Sequence, residues 1–151
     1  MAVPHPGALR RIKKELTELL ATPPDGFHFL LNLQLPTPTV QGFLIGPQAT
    51  PYEGGLFSFS VTFPENYPFK PPILHLETRM IHPRVMNGRV CLNLLKASWS
   101  PRFILRDVLQ EFQEMLKKPD FDEFLSHEAV NMIKQGTFEL EAEEATLLFA
   151  H

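Results

Sequence analysis

Hydrophobic residues near the start of the chain recur at steps of three and four, which is typical of a helix with one buried face. This stripe consists of Leu9, Ile12, Leu16, Leu19 and Leu20. A Thr-Pro-Pro-Asp-Gly segment at residues 22–26 ends the pattern, because proline and glycine disfavour a continuing helix. We therefore predict an N-terminal helix that packs against a core.

Four short apolar runs follow this helix and predict β-strands. They cover residues 27–35, 40–45, 56–63 and 73–76. The third run alternates between polar and apolar positions, and its apolar side consists of Phe57, Phe59, Val61 and Phe63. This period of two predicts a strand whose phenylalanines face the core. Turn-forming residues separate the runs without a helical pattern between them, which favours an antiparallel meander over βαβ units.

The second half of the chain predicts a long loop followed by helices. Residues 80–101 show no sustained period, and a loop of that length inside a compact domain is usually functional. Helical periodicity returns at residues 104–116, and Ser126, Gly136 and Thr137 predict the ends of two more helices, the last extending to about Ala150. We predict a single α+β domain over residues 1–151, with an N-terminal helix, a four-stranded antiparallel meander sheet, this long loop and two to three C-terminal helices.

Composition narrows the class of protein. The 151 residues are 44% hydrophobic and 21% charged, as expected for a soluble globular domain. The formal net charge of −3 argues against nucleic acid as the main partner, because no excess of cations exists to neutralise phosphates. No apolar run is long enough to cross a membrane, and the N-terminus lacks the pattern of a signal peptide. A single cysteine excludes an intrachain disulfide and favours a reducing, intracellular compartment.

Cys91, in the long loop, is the most reactive side chain there, and the residues alone leave its role open. A lone cysteine is often a small buried hydrophobic residue. A Cys–His protease dyad with His75, His82 or His127 as the base is a second interpretation, although no segment resembles a protease nucleophile motif. Zinc is excluded because one cysteine and scattered histidines give no ligand spacing. Neither a serine-hydrolase nor a phosphate-loop motif occurs.

The sequence around this cysteine resembles that of the ubiquitin-conjugating enzymes. Several motifs occur in the same order as in that family, and together they are far more specific than any one of them. They are Gly46-Pro47, residues 51–57, Phe63-Pro64, residues 67–72 (Tyr-Pro-Phe-Lys-Pro-Pro), His82-Pro83, residues 87–92 (Asn-Gly-Arg-Val-Cys-Leu) and Trp99-Ser100-Pro101. The resemblance extends from about Ala8 to the last helix. It implies the family's UBC fold, whose element order agrees with the α+β order predicted above.

The resemblance implies an enzyme in which Cys91 accepts ubiquitin, or a ubiquitin-like modifier, from the activating enzyme as a thioester and passes it to a substrate or ligase. Exchange between a thiol and a thioester is nearly balanced in free energy, and it needs a reactive thiolate rather than a dedicated base. The implied partners are the modifier, the ubiquitin-activating enzyme and a ubiquitin ligase of the RING, U-box or HECT type. No cofactor or metal is implied. We expect a monomer in the cytoplasm, the nucleus or both.

One family motif, His-Pro-Asn, is altered in this chain. Its third position is Arg84, and the spacing from there to Cys91 is one residue shorter than in the family. The family's asparagine is assigned to oxyanion stabilisation, to loop structure or to both. Arg84 is therefore a candidate catalytic residue that keeps a cation and hydrogen-bond donors. An acidic residue that helps to deprotonate the incoming lysine in the family aligns best with Glu123, and Asp122 is the neighbouring candidate.

Two partner surfaces also follow from the resemblance. The region that meets the activating enzyme matches Arg10, Arg11 and Lys14. The alternative for these cations is a solvated helix face. The region that docks ligases matches Phe69, Ser100, Pro101 and Arg102. Core packing is the alternative for Phe69. Arg102 places a bulky cation where common members of the family carry a small residue, and this difference should narrow or shift the choice of ligase.

Two alternatives to a ubiquitin-conjugating activity stay open from the sequence. A non-catalytic adaptor on the same fold would bind ubiquitin or a ligase without forming a thioester. Arg84 mildly favours the adaptor, whereas Cys91 in its Val-Cys-Leu context argues against it, because non-catalytic relatives lack this cysteine. A conjugating enzyme for SUMO or another ubiquitin-like modifier would share the motifs around Cys91.

Overall fold

The computed structural model describes residues 3–32, 38–118 and 126–151. The helices in these ranges are α1 (Pro6–Ala21), α2 (Leu105–Lys117), α3 (His127–Gln135) and α4 (Phe138–Phe149). The strands are β1 (Phe27–Asn32), β2 (Thr39–Ile45), β3 (Leu56–Thr62), β4 (Ile73–Leu76), β5 (Val85–Met86) and β6 (Arg89–Val90). A 3₁₀ turn, Asn93–Leu95, follows β6. The predicted α+β order is confirmed.

Helix α1 has the predicted apolar stripe, with one charged residue added to it. The helix begins at Pro6, and the Nδ1 atom of His5 accepts a hydrogen bond from the Gly7 amide at 3.1 Å. Its buried residues are Ala8, Ile12, Glu15, Leu16 and Leu19. Leu20, which the pattern assigns to the stripe, is 57% exposed, and Glu15 is buried instead. A buried carboxylate needs hydrogen-bond partners, and those of Glu15 are the Tyr67 hydroxyl, the Leu105 amide and Arg11 Nε.

The sheet begins with the predicted meander. All neighbouring strands pair antiparallel in the order β1-β2-β3-β4-β6-β5. Along β3, Phe57, Phe59 and Val61 are buried and the residues between them are partly exposed, as the alternation predicts. The first strand ends at Asn32, so the last part of the predicted run, residues 33–35, lies outside the described residues.

Helix α2 covers the buried face of the sheet. Its buried residues are Leu105, Val108, Leu109, Phe112, Met115 and Leu116. The ring of Phe112 meets the ring of Phe59 edge to face, with centroids 6.4 Å apart. At the start of the helix, Asp107 Oδ2 accepts a hydrogen bond from the Ile104 amide at 2.9 Å. This packing fixes α2 behind the long loop that carries Cys91.

A hairpin inside the long loop corrects the prediction of an irregular segment. Strands β5 and β6 pair Val85 with Val90 and Met86 with Arg89, so the turn between them is Asn87-Gly88. Both turn residues have positive φ, 51° and 81°, as a two-residue hairpin of type I′ requires. Gly88 has a φ of 81°, and a Cβ atom there would also lie 2.3 Å from the exposed His75 ring, so glycine is favoured at this position. The sheet therefore has six strands in the described residues, two more than predicted.

The C-terminal helices follow the predicted boundaries. The Ser126 hydroxyl accepts a hydrogen bond from the Ala129 amide at 3.1 Å, and Gly136 ends α3 in the left-handed conformation. Thr137 precedes α4 but does not cap it, because its buried hydroxyl makes no hydrogen bond to any residue that the structure describes. None of the helices in the described ranges has the length and apolar character needed to span a membrane.

Candidate active site

Cys91 directly follows β6, and backbone contacts hold it in place. Its amide donates to the Arg84 carbonyl at 2.8 Å, which extends the β5–β6 ladder by one pair. The next residue, Leu92, is fully buried. Both oxygens of the Glu111 carboxylate then accept from the amides of Asn93 and Leu94, at 2.8 and 2.9 Å. The nucleophile candidate therefore lies between a paired strand and a capped turn, and its side chain is 5% exposed.

A cleft of about 430 Å³ opens beside Cys91. Its walls are residues 70–74 on one side and residues 89–92 with Leu95 and Lys96 on the other, and Pro64 also lines it. We call this space the Cys91 cleft. Cys91 is one of its lining residues, so the cleft is a space in which a reacting partner can approach this residue.

His82 is a structural residue in this arrangement. It is fully buried, its Nδ1 accepts from the Arg84 amide at 3.0 Å, and its Nε2 lies 3.1 Å from the Met115 carbonyl. These contacts fit a neutral ring that carries its proton on Nε2. Burial lowers the pKa of His82 to about 4, and the charge of Arg84 acts in the same direction. With both nitrogens engaged, His82 is unavailable as the base of a Cys–His dyad.

Arg84 lies opposite Cys91 in the extended ladder. Opposed residues of an antiparallel pair share a face of the sheet, so the register brings this candidate close to the cysteine. The side chain is only 7% exposed and does not line the Cys91 cleft. Its Nε makes no hydrogen bond to a described residue. The register brings these two candidates together, and a role for Arg84 in transfer stays a prediction.

The predicted ligase surface, which we define as Phe69, Ser100, Pro101 and Arg102, lies on two loops joined by Trp99. The indole Nε1 of Trp99 donates to the Pro68 carbonyl at 2.8 Å, which ties the second loop to the first. Phe69 is 77% exposed, so core packing is excluded as its role. The guanidinium of Arg102 lies 4.7 Å from the centroid of the Phe103 ring. The surface therefore presents an aromatic side chain and a cation to solvent.

Glu15, which the sequence pattern does not single out, joins α1 to the first of these loops and to the start of α2. Its carboxylate accepts from the Tyr67 hydroxyl at 2.6 Å, from the Leu105 amide at 2.8 Å and from Arg11 Nε at 3.0 Å. Burial, together with the Glu15 carboxylate, raises the pKa of Tyr67 well above its usual range, so this hydroxyl stays a donor. The hydrogen-bond needs of a buried carboxylate are met in this way.

Only part of the basic cluster on α1 is exposed. Arg10 and Lys14 are exposed, whereas Arg11 is half-buried, and its Nη2 donates to the Phe103 carbonyl at 2.7 Å. The Arg11 guanidinium also lies 5.6 Å from the centroid of the Tyr67 ring. Arg11 is therefore engaged within the protein, and Arg10 and Lys14 are the exposed members of the predicted set, whose binding to the activating enzyme stays a prediction.

The remaining candidates are the predicted acidic residue and the two other histidines that were considered as bases. Glu123 and its neighbouring candidate Asp122 lie outside the described residues, so their positions stay predictions. His75 and His127, the other bases considered for a dyad, are exposed. Across residues 3–32, 38–118 and 126–151, no group of three or more His, Cys, Asp or Glu side chains could hold a metal ion.

Comparison with known proteins gives one family. The family model described as ubiquitin-conjugating enzyme matches residues 11–146, which is most of the chain. The fold is similar to that of the E2 domain of a ubiquitin conjugating enzyme from Toxoplasma gondii, with a TM-score of 0.83 and 30% sequence identity. The match covers 94% of this chain and 98% of that one. The hairpin, the Cys91 segment and the surrounding fold thus occur in a chain that belongs to the ubiquitin-conjugating enzyme family.

Proposed function

We propose that this protein accepts ubiquitin from its activating enzyme as a thioester on Cys91 and passes it to a lysine or to the cysteine of a ligase. The observation that carries the proposal is the position of Cys91, which ends the hairpin in the family's motif and lines an open cleft. It is also the single thiol of the chain. We further propose that the protein acts as a monomer in the cytoplasm or the nucleus.

Charging exchanges one thioester for another. The Cys91 thiolate attacks the carbonyl carbon of the modifier, the bond from that carbon to the sulfur of the activating enzyme breaks, and this sulfur leaves as a thiolate. Because a bond of the same kind forms and breaks, the step is nearly balanced and needs no base beyond the thiolate itself. The engagement of both His82 nitrogens is compatible with this chemistry.

Transfer to lysine is the more demanding step. The amine must attack in its neutral form, and negative charge builds on the thioester oxygen. We assign the deprotonation of the amine to Glu123 or Asp122. A guanidinium has a longer stem than the family's amide. Because the spacing from Arg84 to Cys91 is one residue shorter than in the family, we expect the backbone at Arg84 to differ as well. We therefore propose a protein that charges readily and transfers slowly to lysine, and that transfers to thiols with less loss.

The partner surfaces are part of the same proposal. Arg10 and Lys14 are exposed on α1, where a complementary acidic surface of the activating enzyme could pair with them. The ligase surface offers an exposed aromatic side chain, which is the kind of group that anchors protein interfaces. A ligase of the RING, U-box or HECT type is proposed to dock there.

A charging assay tests the proposed function. The protein is incubated with activating enzyme, ATP and either ubiquitin or another ubiquitin-like modifier, and adducts are resolved on non-reducing gels. We expect a ubiquitin adduct that dithiothreitol removes, its loss in Cys91→Ala and a more stable oxyester or no adduct in Cys91→Ser. Lys134→Gln, a surface change on α3, is the matched control.

Three results would contradict the proposal in different ways. A labile adduct with another modifier alone would change the cargo but keep the chemistry. A labile adduct on Cys91→Ala would make the nucleophile assignment wrong. The absence of any adduct would favour the non-catalytic adaptor.

A further inference from the structure

A positively charged rim surrounds the Cys91 cleft. Lys70, Arg89 and Lys96 line the cleft and are exposed, and none of the described residues that line it is acidic. The chain as a whole has the opposite balance, with 17 acidic and 14 basic residues. The positive charge at the cleft is therefore a local feature and not a property of the whole surface.

The cleft lies where two strands separate. Strands β4 and β6 pair through His75 and Arg89, and the chain beyond that pair forms opposite walls, with Ile73 on one side and Cys91 on the other. Rigid apolar surface that lacks N–H donors comes from Pro64, Pro71 and Pro72. A volume of about 430 Å³ suits several side chains of an extended segment.

Arg89 is the cation of the rim nearest to Cys91 along the chain. It precedes Cys91 by two residues, so both side chains leave the strand on the same face, with backbones about 7 Å apart. Glu111 does not line the cleft, and its carboxylate is engaged by the backbone amides after Cys91. The positive charge therefore faces a molecule that approaches the thioester.

We propose, on the basis of the proposed function, that the Cys91 cleft holds an acidic segment of the acceptor protein beside the lysine that is modified. Carboxylates of that segment pair with Lys70 and Arg89, and its apolar atoms contact the prolines. The lysine nitrogen bonds to the thioester carbon, the bond from carbon to sulfur breaks, Cys91 leaves as a thiolate, and the proton of the amine goes to the base that the proposed function assigns, Glu123 or Asp122. An occupant of this cleft touches Cys91 itself, which favours the acceptor over a ligase docked at the ligase surface.

Single-turnover discharge to matched peptides tests this inference. The purified ubiquitin thioester is mixed with a short peptide whose central lysine is flanked by aspartates, or with its isosteric match that has asparagines. Each exposed ion pair is weak, so two of them predict discharge about five-fold faster to the acidic peptide at low salt. At about 0.5 M salt the preference should largely disappear. The same peptides with cysteine in place of lysine provide a second readout if lysine transfer is slow.

Variants locate the source of the preference. The double change Lys70→Gln and Arg89→Gln should bring the ratio of the discharge rate to the acidic peptide over that to the neutral peptide close to one. Arg89→Glu should make discharge to the neutral peptide the faster of the two. Lys134→Gln, far along the chain on α3, should keep the five-fold ratio. Because discharge is measured per preformed thioester, a change in charging does not alter this ratio.

The outcomes separate this inference from the function on which it rests. A thioester that discharges equally to both peptides overturns the acidic-acceptor proposal and leaves the conjugating activity intact. A preference for the acidic peptide that survives in the double variant also overturns the proposal. The same holds if the variants change only charging, or only ligase-stimulated discharge, and leave the preference between the peptides unchanged. If no thioester forms, the proposed function and this inference both fail.

Discussion

The Cys91 segment and the ligase surface are held in place by different kinds of interaction. Backbone groups dominate at Cys91, where the Arg84 carbonyl, the hairpin ladder and the amides bound by Glu111 set its position. Side chains dominate at the ligase surface, where Glu15 binds one loop through the Tyr67 hydroxyl, and Trp99 ties the other loop to it. The two regions are close in sequence and face different partners in the proposed function.

This difference predicts different responses to substitution. A backbone hydrogen bond survives most changes of side chain, so the position of Cys91 should tolerate variation around it. A network centred on one carboxylate loses several hydrogen bonds at once when that carboxylate is removed. We therefore expect substitutions near Cys91 to change reaction rates and substitutions at Glu15 to change stability.

The largest effect is expected at Arg84 and concerns transfer to lysine. Removal of one well-placed oxyanion donor typically slows acyl transfer by about 10²–10³-fold. We expect the thioester of this protein to discharge to free lysine up to that factor more slowly than the thioester of a relative with His-Pro-Asn. The Arg84→Asn variant should recover part of this rate. Discharge to free cysteine in the same preparation is the internal control. Equal lysine rates for this protein and the relative would contradict the prediction.

The second effect is a loss of stability when Glu15 is replaced. Glu15→Ala leaves the Tyr67 hydroxyl and the Leu105 amide without an acceptor in a buried site, which should lower the free energy of unfolding by about 2–4 kcal/mol. Glu15→Gln keeps one acceptor oxygen and should lose less. Urea unfolding measures both variants. Glu18→Ala, on the exposed side of α1, should stay within about 0.5 kcal/mol of the unaltered protein.

The third effect is a pH dependence caused by His82. Its pKa is about 4 in the folded protein and near 6.5 when unfolded, so the unfolded state takes up the proton first as the pH falls. The contribution to stability is therefore complete above pH 6.5 and declines below it by up to about 1.4 kcal/mol per pH unit until about pH 4. Urea unfolding at several pH values should show a shallower decline for His82→Asn. Identical slopes would exclude His82 as the cause.

The smallest effect is expected on the exposed face of α1. Reversal of Arg10 and Lys14 to Glu should slow charging modestly, because each exposed pair contributes about 0.2–1 kcal/mol. The salt dependence of charging should also become weaker, since exposed charges act through steering and screening. Lys134→Glu on α3 is the control. Unchanged charging kinetics in the double variant would assign these cations to a solvated face.

Much of the fold was predictable because its elements are long enough to show a period. The alternation of Phe57, Phe59 and Val61 along β3 predicts which side is buried, and the capping residues around α3 predict its ends. The β5–β6 hairpin was missed because two-residue strands are too short to have a pattern. The Asn87-Gly88 dipeptide was the available signal, since this pair favours a type I′ turn.

The sequence predicts the candidate nucleophile better than it predicts the residues that surround it. Cys91 follows from the motif, but the burial of Arg84 depends on packing that the motif does not describe. Arg11 and Glu15 are four residues apart on a helix, a spacing that is typical of exposed ion pairs. Their partners Tyr67 and Leu105 are more than fifty residues further along the chain, so only the tertiary structure shows that Glu15 is buried.

The two-residue turn at Asn87 and Gly88 also limits how this loop can change in length during evolution. A hairpin turn of this type cannot be shortened, so a deletion would have to remove a paired residue of β5 or β6. Side chains alternate along a strand, so one residue inserted between Arg89 and Cys91 would move the two side chains to opposite faces. An insertion within the turn itself would leave the spacing of Arg89 and Cys91 unchanged. Of these three changes, an insertion at the tip of the hairpin is thus the one that keeps both strands and leaves a cation beside the nucleophile.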